Sequence, residues 1–200
     1  MICVLLLCHV GFEVVVRDDK VSVKKLGDGV IDGGSPGKDL GIVHVEVGVD
    51  EVDIAVAAWH EEGRWNLALL PDAHDLPHII DRLKSQQTNG GAIALLAIDE
   101  EFFMLIRVLG SHISMFLSDV TCALDYEVAA EFIELCDLDS PEEDDEPLPV
   151  GHLDILADLG VNSMELSALC DDAELFPDEQ LEAIASRLGF ADQFAELLEL

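Results

Sequence analysis

Five groups of residues have types and spacings that could do chemistry. Gly33-x-Ser35-x-Gly37 matches the nucleophile elbow, in which the serine attacks and the next residue's backbone N–H holds the oxyanion. That next residue is Pro36, which has no N–H, so the segment reads as a glycine loop. Gly37-Lys38 has the end of a phosphate loop, but the flanking Asp32 and Asp39 would repel phosphates. His60-x-Glu62 is the first half of a zinc deaminase signature, where histidine binds metal and glutamate moves protons. Its Pro-Cys-x-x-Cys half is missing, which leaves an acidic hairpin turn. His74 and His78 have a helical i, i+4 spacing, but His74 precedes the expected helix start, so both read as loop histidines. Asp99, Glu100, Glu101 and Asp119 could gather at strand ends around a divalent cation, although acids at hairpin tips more commonly keep sheet edges soluble. No cofactor, metal ligand or catalytic residue is assigned from these patterns, and the chain is not expected to be an enzyme.

A further segment, Leu159 to Leu166, resembles the Asp-Ser-Leu stretch of acyl carrier proteins, whose serine at a helix start carries phosphopantetheine. That makes Ser163 the modified residue of an alternative reading. Asn162 stands where the aspartate belongs, and Asn162 with Glu165 also reads as a capping-box helix start. Trp59, Trp65, Phe102 and Phe103 could stack bases, but they lack the neighbouring lysines and arginines of single-strand binders. They are expected in the core and on sheet faces.

The elements that must hold these residues follow from hydropathy patterning. Ile54 to Trp59 and Trp65 to Leu70 form strands around a turn at 60–64. Asp75 caps a helix with Pro77 in its first turn and Ile79, Ile80 and Leu83 on one side, ending near Gln87 and stopped by 88–91. Ala92 to Ile98, Phe102 to Leu109 and Ile113 to Leu117 are three more strands, and their unbroken apolar runs imply that both faces are covered. A helix from Ser118 or Asp119 would place Leu124, Val128, Phe132 and Leu135 in one stripe. The fold class is α+β, a mainly antiparallel sheet in ββαβββα order. An acidic linker and a small C-terminal helical bundle follow. The bundle would use Leu153, Leu156 and Leu159 before Gly160, a helix opening at Asn162 or Ser163, one with Pro177 in its first turn, and a last one holding Phe194, Leu197 and Leu198. Arg107, inside an apolar strand, needs a counter-charge, with Glu101 or Asp119 as candidates.

Four segments are expected: an extension of uncertain structure over 1–48, an α+β domain over 49–136, an acidic linker over 137–150 and a helical domain over 151–200. Within the extension, Val14 to Val16 and Val21 to Leu26 suit a hairpin, and 27–41 suits a loop. The first twelve residues read as a strand or weakly structured extension, with neither the cationic start nor the cleavage site of a secretory signal.

Charge narrows the function classes. The 200 residues are 50% hydrophobic, with a mean hydropathy of +0.31, enough to bury a core, and carry 10 cations against 42 acids for a net −32. Such a field repels nucleic-acid backbones, so extensive direct contact with RNA or DNA is excluded. Residues 1–50 hold 5 cations and 8 acids, 51–136 hold 4 and 15, and 137–200 hold 1 and 19. The expected partner surface is therefore the last segment, through Asp144, Asp145, Asp154, Asp158, Asp171, Asp172, Asp178 and Glu179. Five cysteines with no C-x-x-C spacing argue against a disulfide framework and for a reducing, cytoplasmic compartment. No run reaches the roughly 20 apolar residues of a membrane span.

From about Asp50 the chain resembles the bacterial family of tRNA adenosine deaminase-associated proteins. The residues that carry this are Asp99 to Phe103 with Arg107-Val108, Phe116 to Asp119, Gly151 to Gly160, Pro177 to Glu179 and Ala185 to Phe190, with the acidic spacer between the blocks. The resemblance implies an accessory or partner role beside a tRNA-specific adenosine deaminase, with no catalytic residues to carry over.

Overall fold

The computed structural model describes residues 52–71, 73, 75–86, 90–172 and 174–198. In the first quarter of the chain it describes the backbone of three strands, β1 Cys3–Leu7, β2 Phe12–Arg17 and β3 Lys20–Lys25. These pair antiparallel in the order β1-β2-β3, with Arg17 opposite Lys20, so the expected hairpin over 14–16 and 21–26 is present as β2 and β3. They belong to a unit over Met1–Val49, distinct from a second over Asp50–Leu200. The glycine loop at 27–41, with the elbow-like and phosphate-loop-like motifs, lies outside the described residues, as does His74.

The second unit is built on a six-stranded, fully antiparallel sheet in the order β5-β4-β6-β7-β8-β9. Strands β4 Val52–Glu61 and β5 Arg64–Leu69 meet at a two-residue turn. There Glu62 (φ 51°) and Gly63 (φ 80°) both take the left-handed conformation that matches hairpin twist. Helix α1, Leu76–Ser85, begins where expected: the Asp75 carboxylate accepts from His78 N–H at 3.1 Å, and Pro77 sits where a missing N–H costs nothing. Strands β6 Ala92–Ile98, β7 Phe102–Leu109 and β8 His112–Leu117 fill the middle of the sheet.

After β8 the chain departs from the expected single helix. Asp119 does cap, accepting from Thr121 N–H at 2.8 Å, but the turn it starts is a 3-10 helix over Val120–Leu124. Helix α2 begins only at Glu127 and ends at Leu135. The break rotates the stripe, so Val128, Ala129, Phe132 and Ile133 are buried while Leu124 and Leu135 are exposed. The acidic stretch that follows contains no helix and returns as β9, Val150–Gly151, on the outer edge of β8. Gly151 is required there: at φ +92°, a Cβ would collide with the Met115 carbonyl oxygen and come within 2.9 Å of Phe132.

The C-terminal elements are a 3-10 turn over Ala157–Leu159, α3 Ser163–Cys170, α4 Pro177–Leu188 and α5 Ala191–Leu198. The helix expected over Leu153, Leu156 and Leu159 is thus reduced to that turn. Leu156 and Val161 are buried around it.

Unbroken apolar strands have the expected cause. Side chains alternate across a sheet, and here both faces are covered. One face, with Ala94, Leu96, Phe102, Met104, Ile106 and Met115, packs against α1 and α2. The other, with Val56, Leu95, Phe103, Leu105 and Phe116, packs against Ile155, Leu156, Leu166, Ile184 and Phe194. Residues 151–198 therefore share a core with the sheet, although an acidic spacer separates them in sequence. Full burial of each such side chain is worth about 1.5–3 kcal/mol, enough to hold short helices that would be marginal alone.

Candidate functional site

Polar groups concentrate where β7, β8 and β9 meet the C-terminal segment. Arg107 alternates with Phe103 and Leu105 and so points to the face covered by that segment. Its side chain is 8% exposed, and its guanidinium donates to the Ile155 carbonyl at 2.7 Å and, through both terminal nitrogens, to the Asp158 carboxylate. The Nη2–Oδ2 distance is 2.8 Å. Glu101 and Asp119, the expected counter-charges, do not pair with it. The Asp119 carboxylate is used by Thr121, and the partner comes instead from 51 residues downstream. The Arg107 guanidinium holds the Asp158 carboxyl below the usual carboxylate range through this hydrogen-bonded pairing. Arg107 Nε is buried without a partner.

Beside this pair lies an open hollow of about 550 Å³, lined by Arg107, Leu109, His112, His152, Asp154 and Asp158 among others. His112 and His152 face each other edge-on, with ring centroids 6.2 Å apart. Neither histidine was singled out by spacing, because 40 residues separate them and only the pairing of β9 with β8 brings them together. A second hollow of about 440 Å³, mainly apolar, lies by Ile80, Ile113, Met115, Leu135 and Leu138. It shares Gly151 and His152 with the first.

All eight acids expected to meet a partner are exposed: Asp144, Asp145, Asp154, Asp158, Asp171, Asp172, Asp178 and Glu179. They are not equivalent. Asp158 is committed to Arg107. Glu179 accepts from Phe176 N–H at 3.0 Å at the head of α4, Asp145 from Glu142 N–H at 2.8 Å and Asp172 from Glu174 N–H at 3.1 Å. Asp144, Asp154, Asp171 and Asp178 remain as charges turned to solvent. The segment's one cation, Arg187, pairs with Glu165. Nothing in these acids resembles a metal cage, and among the described residues no three histidines, cysteines or acids are grouped to hold an ion.

The other candidate motifs resolve into structure. His60 and Glu62 are exposed on the β4–β5 hairpin. Phe102 and Phe103 are buried, and Trp65 donates from Nε1 to the Leu188 carbonyl at 2.9 Å while lying 4.8 Å from the Phe190 ring. The turn acids Asp99 and Glu100 both have positive φ, and Glu100 N–H donates to the Asp53 carboxylate at 2.9 Å. Asn162 and Glu165 form the reciprocal capping box, with Glu165 N–H donating to Asn162 Oδ1 at 3.1 Å. The carrier reading of Ser163 finds no support. The stretch that would supply a carrier's first helix has no helix, and α3 packs Leu166 into a core shared with a β-sheet. Cys122, Cys136 and Cys170 are free thiols, and burial pushes Cys122 and Cys170 up to about 12, so neither is an activated nucleophile.

Among the described residues no helix is long and apolar enough to cross a membrane. The pattern of the Rv3753c-like tRNA adenosine deaminase-associated protein family matches residues 53–191. Protein Rv3753c of Mycobacterium tuberculosis (strain ATCC 25618 / H37Rv) is 38% identical over 149 residues, covering 72% of this chain and 86% of the relative. No solved structure matches the chain significantly.

Proposed function

This chain belongs to the Rv3753c-like tRNA adenosine deaminase-associated protein family, and from that premise we propose that it is a non-catalytic accessory protein that docks onto a tRNA-specific adenosine deaminase through its acidic C-terminal segment. The observation that carries this reading is the division of labour within residues 137–198. Their apolar side chains close the sheet, while Asp144, Asp154, Asp171 and Asp178 are left in solvent. With a formal net charge of −32 over the whole chain, such a surface favours a cationic partner, and enzymes that handle tRNA present cationic surfaces. The protein would then occupy, or compete with tRNA for, the basic surface of the enzyme, in the cytoplasm where tRNA is modified.

The test is retention of a purified tRNA adenosine deaminase on the immobilised full-length chain at rising salt. Retention should fall steeply as the screening length drops below about 10 Å near 0.1 M ionic strength. The triple variant Asp144→Lys, Asp171→Lys, Asp178→Lys should weaken it at least tenfold without lowering the melting temperature appreciably. Deleting 137–200 is not an informative variant, because that segment supplies the cover of one face of the sheet. Equal retention by the triple variant would remove the acidic surface from the reading, and turnover of a small metabolite by the purified chain would end the accessory role.

A further inference from the structure

The two hollows beside β8 lie on opposite faces of one incompletely covered strand edge. Ser118 N–H donates to the Phe103 carbonyl at 3.0 Å, which makes Phe103–Ser118, Leu105–Phe116 and Arg107–Ser114 the pairs whose backbone groups face each other. By the alternation of an antiparallel ladder, the N–H and C=O groups of Ile113 and Met115 face away from β7. The Met115 carbonyl accepts from His152 N–H at 2.8 Å, and there the cover ends, because β9 pairs only with Phe116 and Leu117. Among the described residues no strand pairs with β8 outside Ile113.

Side chains of an added strand would alternate as those of β8 do. Ile113 and Met115 border the apolar hollow, with Leu135 and Leu138 exposed at 49% and 39%. His112 and Ser114 border the other hollow, which carries Asp154 and Asp158. We propose that this edge accepts an extended, apolar–basic alternating peptide from a cationic partner, as an additional strand beside His112–Ser114. Apolar residues would enter the hollow by Leu135 and Leu138, and lysine or arginine would meet Asp154 on the opposite face. A second copy of this chain is disfavoured as occupant, since two protomers at a formal −32 each would bring acid against acid. The proposal deepens the accessory reading by naming a docking edge, and it rests on that reading only for the partner's sign of charge.

The probe is a fluorescent peptide, Lys-Val-Lys-Val-Lys-Val-Lys, titrated onto the full-length chain beside two controls. One carries an N-methyl group on its central valine, and the other has the same composition in block order. Strand addition predicts that the alternating peptide binds about tenfold tighter than either control, a difference of about 1.4 kcal/mol. It also predicts that the Ile113 amide becomes protected from hydrogen exchange on binding. Ile113→Pro removes an N–H that the sheet does not use and should erase the preference for alternation. Leu138→Asp should weaken the alternating peptide independently, should the proline variant fail to fold. Equal binding of all three peptides, or an unprotected Ile113 amide, overturns the proposal, as does sedimentation showing a dimer closed through this edge. If Ile113→Pro retains the deaminase as well as the natural chain while the triple acid variant loses it, the edge is wrong and the accessory reading stands.

Discussion

The two faces of the sheet are closed by segments of unequal charge. One is covered by α1 and α2 from the middle of the chain, where Arg82 and Lys84 lie in the last turn of α1 and Glu131 accepts from Leu76 N–H at 3.0 Å to tie the two helices. The other is covered by residues 151–198, within a stretch of 64 residues holding 19 acids and one cation. Both covers are amphipathic, and both put their apolar sides on the same six strands. Only the second is pinned by a buried arginine, Arg107 reaching across to Ile155 and Asp158. The difference teaches that a strongly acidic segment need not be a tail: its charge describes one side of it, and the other side completes a core.

If the faces are equivalent parts of one core, truncation on either should unfold the same unit. Phe132→Ala and Phe194→Ala should each cost about 3–5 kcal/mol in denaturant titration, with one cooperative transition in both. A Phe194→Ala chain that loses only its C-terminal helices, leaving the β4–β8 signal intact, would break the comparison and restore 151–200 as a separate domain. Next in size is the arginine that sets the second face apart. Asp158→Ala should destabilise by about 1–3 kcal/mol, because it leaves a buried guanidinium with one carbonyl, discounted for the exposure of the carboxylate. Arg107→Met should cost less than Asp158→Ala, since it removes the buried charge altogether, and the opposite order would show that the pair stabilises beyond its desolvation.

The helix starts offer a smaller, symmetrical pair. Asp75→Ala on the first cover and Asn162→Ala on the second should each cost about 1 kcal/mol through loss of a cap. The smallest effect is in pH. The Asp158 carboxyl is lowered on folding, so the stability it adds is fully present above the ordinary aspartate range and fades as pH falls through the folded value. Asp158→Asn should flatten the acid limb of a stability–pH curve measured by denaturant titration.

Much of the architecture was legible because it depends on local signals. Asp75 with Pro77, Asn162 with Glu165 and Pro177 with Glu179 mark helix starts by their own backbone chemistry, and each is found at the head of its helix. The unbroken runs of β6 and β7 correctly required cover on both faces. Short-range rules do not reach further: the helical stripe from Leu124 to Leu135 is interrupted at Asp125-Tyr126, and the counter-charge of Arg107 comes from Asp158 and not from the acids nearer in sequence. The hollows, the His112–His152 pair and the open edge of β8 left no trace in spacing, since their parts come from β7, β8, α2 and β9.

Sequence alone therefore determined β4 to β8 and most of the helix starts, the two-sided burial of the sheet, the anionic field and the family. Those follow from residue type, periodicity and summed charge, which are properties of the chain. Tertiary structure alone decided which segment covers which face, that Asp158 answers Arg107, and that among the described residues no strand pairs with the outer edge of β8 at Ile113. Each of these depends on pairing between residues tens of positions apart, and that pairing is selected by the burial of whole faces, which no local pattern encodes.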